Sequence, residues 1–222
     1  MLINADFSRK VIVVPQDYQW VASPQPGVER VMLDRLGGER ARATSIVRYA
    51  SESYFPQHAH PGGEEIFVVS GTFSEGDEDC PVGYYLRNPP GSVHQPFSRN
   101  GAVIFVKLWQ MEAGQQTRVR INTRDPATWV KQAGREICPL HRSIVEQVCL
   151  QRLASVEPLF SESVDGAEIL VLTGCLTERN STYERGSWIR LPKGYYPEFK
   201  AGTAGAEIYL RTGRPAGLDE TA

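Results

Sequence analysis

The chain has 222 residues, with 24 Lys and Arg set against 26 Asp and Glu. That length can bury one large core or two ordinary ones. So even a balance, with no basic run and no aromatic ladder, lacks the electrostatic footprint of nucleic-acid or anionic-membrane binding.

The opening MLINADFSRKVIVVPQD has an apolar run only VIVV long before Pro15, too short for a signal peptide or a spanning helix, so a soluble cytoplasmic protein is expected. From Val11 the chain reads as short runs rich in Val, Ile, Tyr and Phe between Gly, Pro and Asn clusters, an all-β signature. VIVV, VERVML, ARATSIVRYA, EEIFVVSGTF, GYYLRN and AVIFVKLW are the strands predicted for the first half. EIFVV and VIFV are continuously apolar, as in a strand buried on both faces.

Between these strands lies HAHPGGEE, and three of the four histidines fall between His58 and His94. His58 and His60 are two apart, so on an extended strand they leave the same face roughly 6 to 7 Å from each other, a spacing that suits two ligands of one metal. Glu64 shares their even spacing beyond the Pro61, Gly62, Gly63 turn, and Gly71 closes the apolar run. Gly83, Pro89, Gly91 and His94 then bring a third imidazole to the end of another strand. A lone histidine is usually a surface or hydrogen-bonded core residue, but three at fixed offsets among glycines and a proline point to a metal held by His58, His60, Glu64 and His94. Three imidazoles and one carboxylate, with no thiolate, suit iron(II), manganese, nickel or zinc. Tyr49, Phe55, Tyr85 and Phe97 are candidate pocket walls, and no residue is assigned a catalytic role.

Cys80, Cys138, Cys149 and Cys175 have no CxxC spacing, so neither a zinc knuckle nor a disulfide framework is indicated. Cys80 ends the acidic loop EGDEDC and is expected to be solvent-accessible and oxidisable, though nearby carboxylates should raise its pKa.

The second half repeats the first. Gly71 pairs with Gly174 and Gly83 with Gly186 at one offset of 103, so EEIFVVSGTF faces AEILVLTGCL and GYYLRNPPG faces GSWIRLPKG. Nearer the start, Trp20 faces Trp129 and Gly27 faces Gly134 at offsets of 109 and 107. The repeat predicts two barrels, residues 1–112 and 113–222, with RVRI (118–121) opening the second as KVIV opens the first. At the offset of 103, His58, His60, Glu64 and His94 become Ser161, Ser163, Ala167 and Pro197, so the second barrel is expected to be metal-free. It would serve as a packing partner, or offer a pocket lined by Trp188, Tyr195 and Tyr196. His141 is expected at the surface. Glu65 persists as Glu168 where no histidine cluster remains, whereas Glu64 disappears with the histidines, which favours Glu64 as the ligand.

These two motifs resemble those of the cupin barrel, which implies two tandem double-stranded β-helix (jelly-roll) barrels, a bicupin. One departure is Ser98, where cupins often carry Asn. PGVERVMLDR, RATSIVRYA, HAHPGGEEIFVVSGTFSEG, GYYLRNPPGSVHQPFS and VIFVKLWQ further resemble the cupin domain of the ChrR anti-sigma factors of the oxidative-stress response. That resemblance implies zinc at the residues matching His58, His60, Glu64 and His94, and a sensory role in which an oxidant or small ligand alters the metal site. ChrR proteins capture their sigma factor through a separate N-terminal helical domain, and about ten residues precede the first strand here, so sigma capture by this chain alone is not expected. The ChrR-like group also includes iron-dependent dioxygenases that cleave hydroxylated acetophenones, so the alternative is an iron(II) dioxygenase with two cis positions open for oxygen and substrate. A small molecule or oxidant, a protein partner and a second copy in a homodimer are the partners this leaves open.

Overall fold

A computed structural model describes residues 1–38, 40–112 and 114–214. The first half contributes β1 (Leu2–Ile3), β2 (Val11–Val13), β3 (Val21–Ala22), β4 (Val28–Leu36), β5 (Arg42–Tyr54), β6 (His58–His60), β7 (Glu64–Glu75), β8 (Glu78–Pro81), β9 (Tyr84–Asn88), β10 (Ser92–His94) and β11 (Pro96–Leu108). The second contributes β12 (Val119–Asn122), β13 (Val130–Gln132), β14 (Arg135–Arg142), β15 (Glu146–Leu153), β16 (Ala167–Glu178), β17 (Ser181–Glu184), β18 (Trp188–Leu191) and β19 (Phe199–Gly213). Each apolar run predicted as a strand is one. Among the described residues no helix is long and apolar enough to cross a membrane.

The strands form two antiparallel sheets and a short ribbon. One sheet runs β1-β4-β5-β11-β7-β9-β12 with β3 and β8 at its margins; the other runs β13-β14-β15-β19-β16-β18-β2 with β17 on β16; β6 and β10 pair by themselves. The repeat is kept residue by residue: β7 and β8 map onto β16 and β17 at the offset of 103, both ends included. Trp20 and Trp129 match as expected, each lying under an arginine of the equivalent strand, Arg48 at 4.1 Å and Arg152 at 3.8 Å. The continuous apolar runs are buried on both faces, Ile66, Phe67 and Val68 in one sheet and Ile169, Leu170 and Val171 in the other. Burying each such side chain contributes roughly 1.5–3 kcal/mol, which is why these strands sit in the middle of their sheets.

The edge strands correct one expectation. RVRI does not open the second barrel: β12 pairs with β9 of the first, while β2, from KVIV, pairs with β18 of the second. Contacts accordingly group the described residues into one unit of Met1–Ala5 with Gln19–Arg124, and another of Asp6–Tyr18 with residues 125–214. The two edge segments are fastened alike. Arg118 and Arg120 reach Glu75, the former at 2.6 Å, and Lys10 reaches Glu178, the residue equivalent to Glu75, at 2.7 Å. A hydrophobic period shows that VIV and VRI are strands, but the choice of edge rests on long-range charges that alternation does not encode.

Gly71 and Gly174 show what the shared glycines do. Both have positive φ, 71° and 66°, and a Cβ at either would overlap the carbonyl oxygen of the neighbouring strand, Gly101 in one barrel and Gly205 in the other. Gly71→Ala and Gly174→Ala should each lower stability by about 1–3 kcal/mol or more in urea denaturation. Gly76→Ala, at φ 60° with open space around it, should cost less. Equal losses at all three positions would refute the close-approach explanation.

Candidate metal centre

The β6–β10 ribbon builds the site. Its antiparallel register sets His94 directly across from His58 and Ser92 across from His60, so the two histidines of HAH, on one face of β6, meet the third on the same face of β10. The ligand nitrogens of the three rings all lie within 4.8 Å of one another, and His60 Nε2 is 2.8 Å from His94 Nε2. The Pro61–Gly63 turn then folds the chain back into β7. A Cβ at Gly62 would overlap the Trp109 indole, so the turn can lie flat under that ring only with glycine there.

Strand parity separates the two adjacent glutamates. In the β7–β9 ladder Glu64 faces Asn88 and Glu65 faces Arg87. Glu64 Oε2 lies 3.5 Å from both His60 Nε2 and His94 Nε2 and accepts a bond of 3.3 Å from Asn88. Glu65 turns to the other face and accepts from Arg87 at 2.8 Å. The second barrel keeps this register with Ala167 facing Leu191 and Glu168 facing Arg190, so the outward pair persists and the inward one becomes apolar.

Outer contacts orient the rings. His58 donates from Nδ1 to the Pro56 carbonyl at 2.9 Å, and His94 from Nδ1 to Glu75 at 2.5 Å, which leaves both Nε2 lone pairs directed inward. Burial raises the Glu75 carboxyl, but the bonds from His94 and Arg118 and the charge of Arg120 outweigh it and hold it at about 2. Burial lowers His60 to about 4, reinforced by the charge of His94, and lowers His58 as well. For His94 burial also pulls downward, yet the Glu75 bond wins and its pKa is raised. Glu64, fully enclosed, is raised by burial. Burial thus favours the neutral form of His58 and His60, while the Glu75 bond favours the charged form of His94.

A cavity of about 390 Å³ opens on His58, His60 and Glu64. Tyr49 and Phe55 line it as expected, together with Val28, Val47, Ile104 and Val106. The other two predicted walls lie elsewhere. Tyr85 is fully buried and accepts from Arg87, on the Glu65 side of the sheet. Phe97 lines a separate open groove with His94, Glu75 and Arg118. Ser98 is buried and donates to the Thr72 carbonyl.

Residues that the sequence reading passed over include Glu75, Asn88, Arg118, Arg120 and Arg30. Glu75 persists as Glu178 in the repeat, so subtraction hides it. Asn88 becomes Leu191 and Arg30 becomes Ile137, and that loss was a usable signal.

The second barrel fills the equivalent space with apolar side chains. Ala167, Phe160, Leu159 and Phe199 belong to one buried cluster, and the β6–β10 ladder is reduced to a bridge between Val164 and Gly194. Trp188 is core and donates to Glu168, Tyr195 is exposed, and Tyr196 packs on Phe160 and Phe199, so these three do not converge on a pocket. His141 is not simply a surface residue: it is half-buried, 3.5 Å from Glu146. Among the described residues the one cluster suited to a metal is that of His58, His60 and His94.

A barrel of antiparallel strands with HxH and a following Glu across from a third His has the cupin fold, and the second barrel repeats the fold without the histidines, a bicupin architecture. Residues 8–112 match the model of the ChrR cupin-like domain. No curated protein matches it. Solved structures resemble it along most of its length. A Nostoc punctiforme protein described as a candidate dioxygenase aligns at TM-score 0.74 and 14% identity over 96% of this chain and 86% of its own. The Escherichia coli pirin YhhW, solved with nickel(II), aligns at 0.68 and 11% over 94% and 100%, and YlbA from E. coli at 0.65 and 16% over 96% and 95%. At these identities the likeness is one of fold.

Cys80 is buried at 1% exposure, not accessible on its loop, because β8 pairs with β7 and turns the side chain into the core. Burial is also the main reason its thiol is pushed up to about 11. Iodoacetamide at neutral pH should therefore label the half-buried Cys175 well before Cys80. Peptide mass spectrometry would read the order, and faster labelling of Cys80 would contradict its burial.

Proposed function

We propose that the first barrel binds one divalent transition metal through His58, His60, Glu64 and His94 and presents it to a small molecule entering the adjacent cavity. The convergence of three imidazole nitrogens carries this reading. Nitrogens each about 2 Å from one ion sit roughly 3 Å apart, comparable with the 2.8 Å between His60 and His94. Without an ion only a shared proton could relieve that approach. Zinc follows from the ChrR resemblance, and iron, manganese or nickel suit the same donors. When bound, the ion supplies Lewis-acid polarisation and, if iron, redox capacity. Glu75 fixes the His94 ring, Asn88 steadies Glu64, and Tyr49 and Phe55 with their aliphatic neighbours give the cavity an apolar wall.

The function we favour is sensing of the ChrR type, in which an oxidant or small ligand changes the metal site and a protein partner reads the change. Its support is the domain match over residues 8–112. A second reading, an iron(II) dioxygenase acting on a small hydroxyacetophenone-like substrate, is favoured by the apolar cavity beside the histidines and by likeness of fold to the Nostoc protein. Metal analysis of protein purified without chelators, followed by oxygen uptake with the native metal, separates them. Zinc without uptake supports the sensor, iron with substrate-dependent uptake supports the enzyme, and absence of any stoichiometric metal would refute both.

The ligand set has its own test. Glu64→Ala should empty the site, whereas Glu65→Ala, which removes a partner of Arg87 on the other face of the strand, should keep most of its metal. Glu75→Gln should fall between them, weakening metal affinity roughly 10- to 100-fold through the His94 ring. Metal content of the three variants, with His58→Ala and His94→Ala as controls, checks the ranking, and the reverse order of Glu64 and Glu65 would overturn the assignment.

A further inference from the structure

The cavity beside the histidines contains a positive charge that metal binding does not use. Arg30 is two residues after Val28 on β4 and shares its inward face. Its cross-strand partner is Val47 and that of Val28 is Tyr49, and all four line the cavity. The Arg30 Nε is buried with no hydrogen-bond partner, and the guanidinium makes no ion pair among the described residues. Glu29, next to it in the chain, points the other way and is paired with Arg48 at 2.5 Å.

An arginine placed for structure looks different. Arg135, at the start of the equivalent strand, donates to Glu157, Gln151 and two carbonyls. The repeat also tests Arg30 directly. At the offset of 107 that relates Gly27 to Gly134, Arg30 becomes Ile137, which pairs with Gln151, the counterpart of Val47. Ile137 is buried in the core of the barrel that has no histidine cluster. The guanidinium is therefore present where the cluster is present, and an ordinary core residue replaces it where the cluster is gone.

Arg30 is half-buried, but its enclosed Nε has no acceptor, which is costly, and an anion brought by a ligand removes that cost. The lining has three arginines, Arg30, Arg35 and Arg40, against one carboxylate, Glu64, which already faces His60 and His94. Apart from Ser23 and the imidazoles of His58 and His60, the remaining walls are aliphatic and aromatic. Resting on the reading that this cavity is the ligand site of the first barrel, we propose that Arg30 anchors the carboxylate of a small organic acid whose apolar body lies against Val28, Val47 and Tyr49. A neutral ketone would offer the guanidinium an acceptor but no countercharge.

Calorimetric titration with benzoate, phenylacetate and octanoate, each beside its amide, and with inorganic phosphate, tests this on metal-loaded and on chelator-treated protein. At least one carboxylate should bind ten-fold or more tighter than its amide and than phosphate. Arg30→Gln should weaken that carboxylate roughly 10- to 100-fold, the worth of a charge-assisted pair, while its amide is unaffected. Arg30→Lys should retain part of the preference, and thermal melting establishes that both variants fold. Metal content is measured separately. An Arg30-dependent preference in protein that takes up no metal would refute the metal site and leave this proposal standing. Carboxylates no better than their amides, phosphate binding as tightly, or a preference that Arg30→Gln leaves intact would overturn it.

Discussion

Three imidazole nitrogens and a carboxylate oxygen directed at one another inside a barrel repel unless something shares their lone pairs. Protonation is opposed at two of the rings by the burial that lowers His58 and His60. The proposed cation would share those lone pairs, and the surrounding contacts hold the donors in place. The β6–β10 register sets the rings, the Pro56 carbonyl and Glu75 hold two Nδ1 atoms outward, and Asn88 tethers Glu64.

Glu75 connects this centre to the chain's least expected feature. Its carboxylate binds His94 on one side and the arginines preceding and within β12 on the other. The strand that enters the first sheet from beyond Trp109 thus neutralises the acid that orients a metal-facing ring. In the other barrel Glu178 keeps the same relation to Lys10 beside β2, with no histidine left to orient. The shared interaction therefore serves the attachment of the edge segment, and the metal centre makes additional use of it. That is why Glu75 survives the comparison between halves while Glu64 does not.

The two barrels also show how one fold exchanges chemistry for packing. Ala167 in place of Glu64, Leu191 in place of Asn88 and Ile137 in place of Arg30 accompany the change from a polar interior to an apolar one, with the long sheet strands kept and the β6–β10 ribbon reduced to a bridge. Each polar group in the first barrel needs a partner to be tolerated in its enclosed setting. Glu64 and the imidazoles find theirs in one another and in the proposed ion; Arg30 finds none within the described residues.

Much of this was legible in the sequence, because it depends on local period and on internal repetition. Alternation and apolar runs gave the strands, the HxH spacing placed His58 and His60 on one face, and subtraction of the halves singled out Glu64 over Glu65, the separation that the β7–β9 register makes. What stayed hidden was set by pairings between distant segments. The edge that β2 and β12 join, the burial of Cys80 under β7, the withdrawal of Tyr85 to the opposite side of the sheet and the passage of Phe97 into another groove all depend on which strands become neighbours. A residue's parity says which face it takes, but only the closed barrel decides what that face meets.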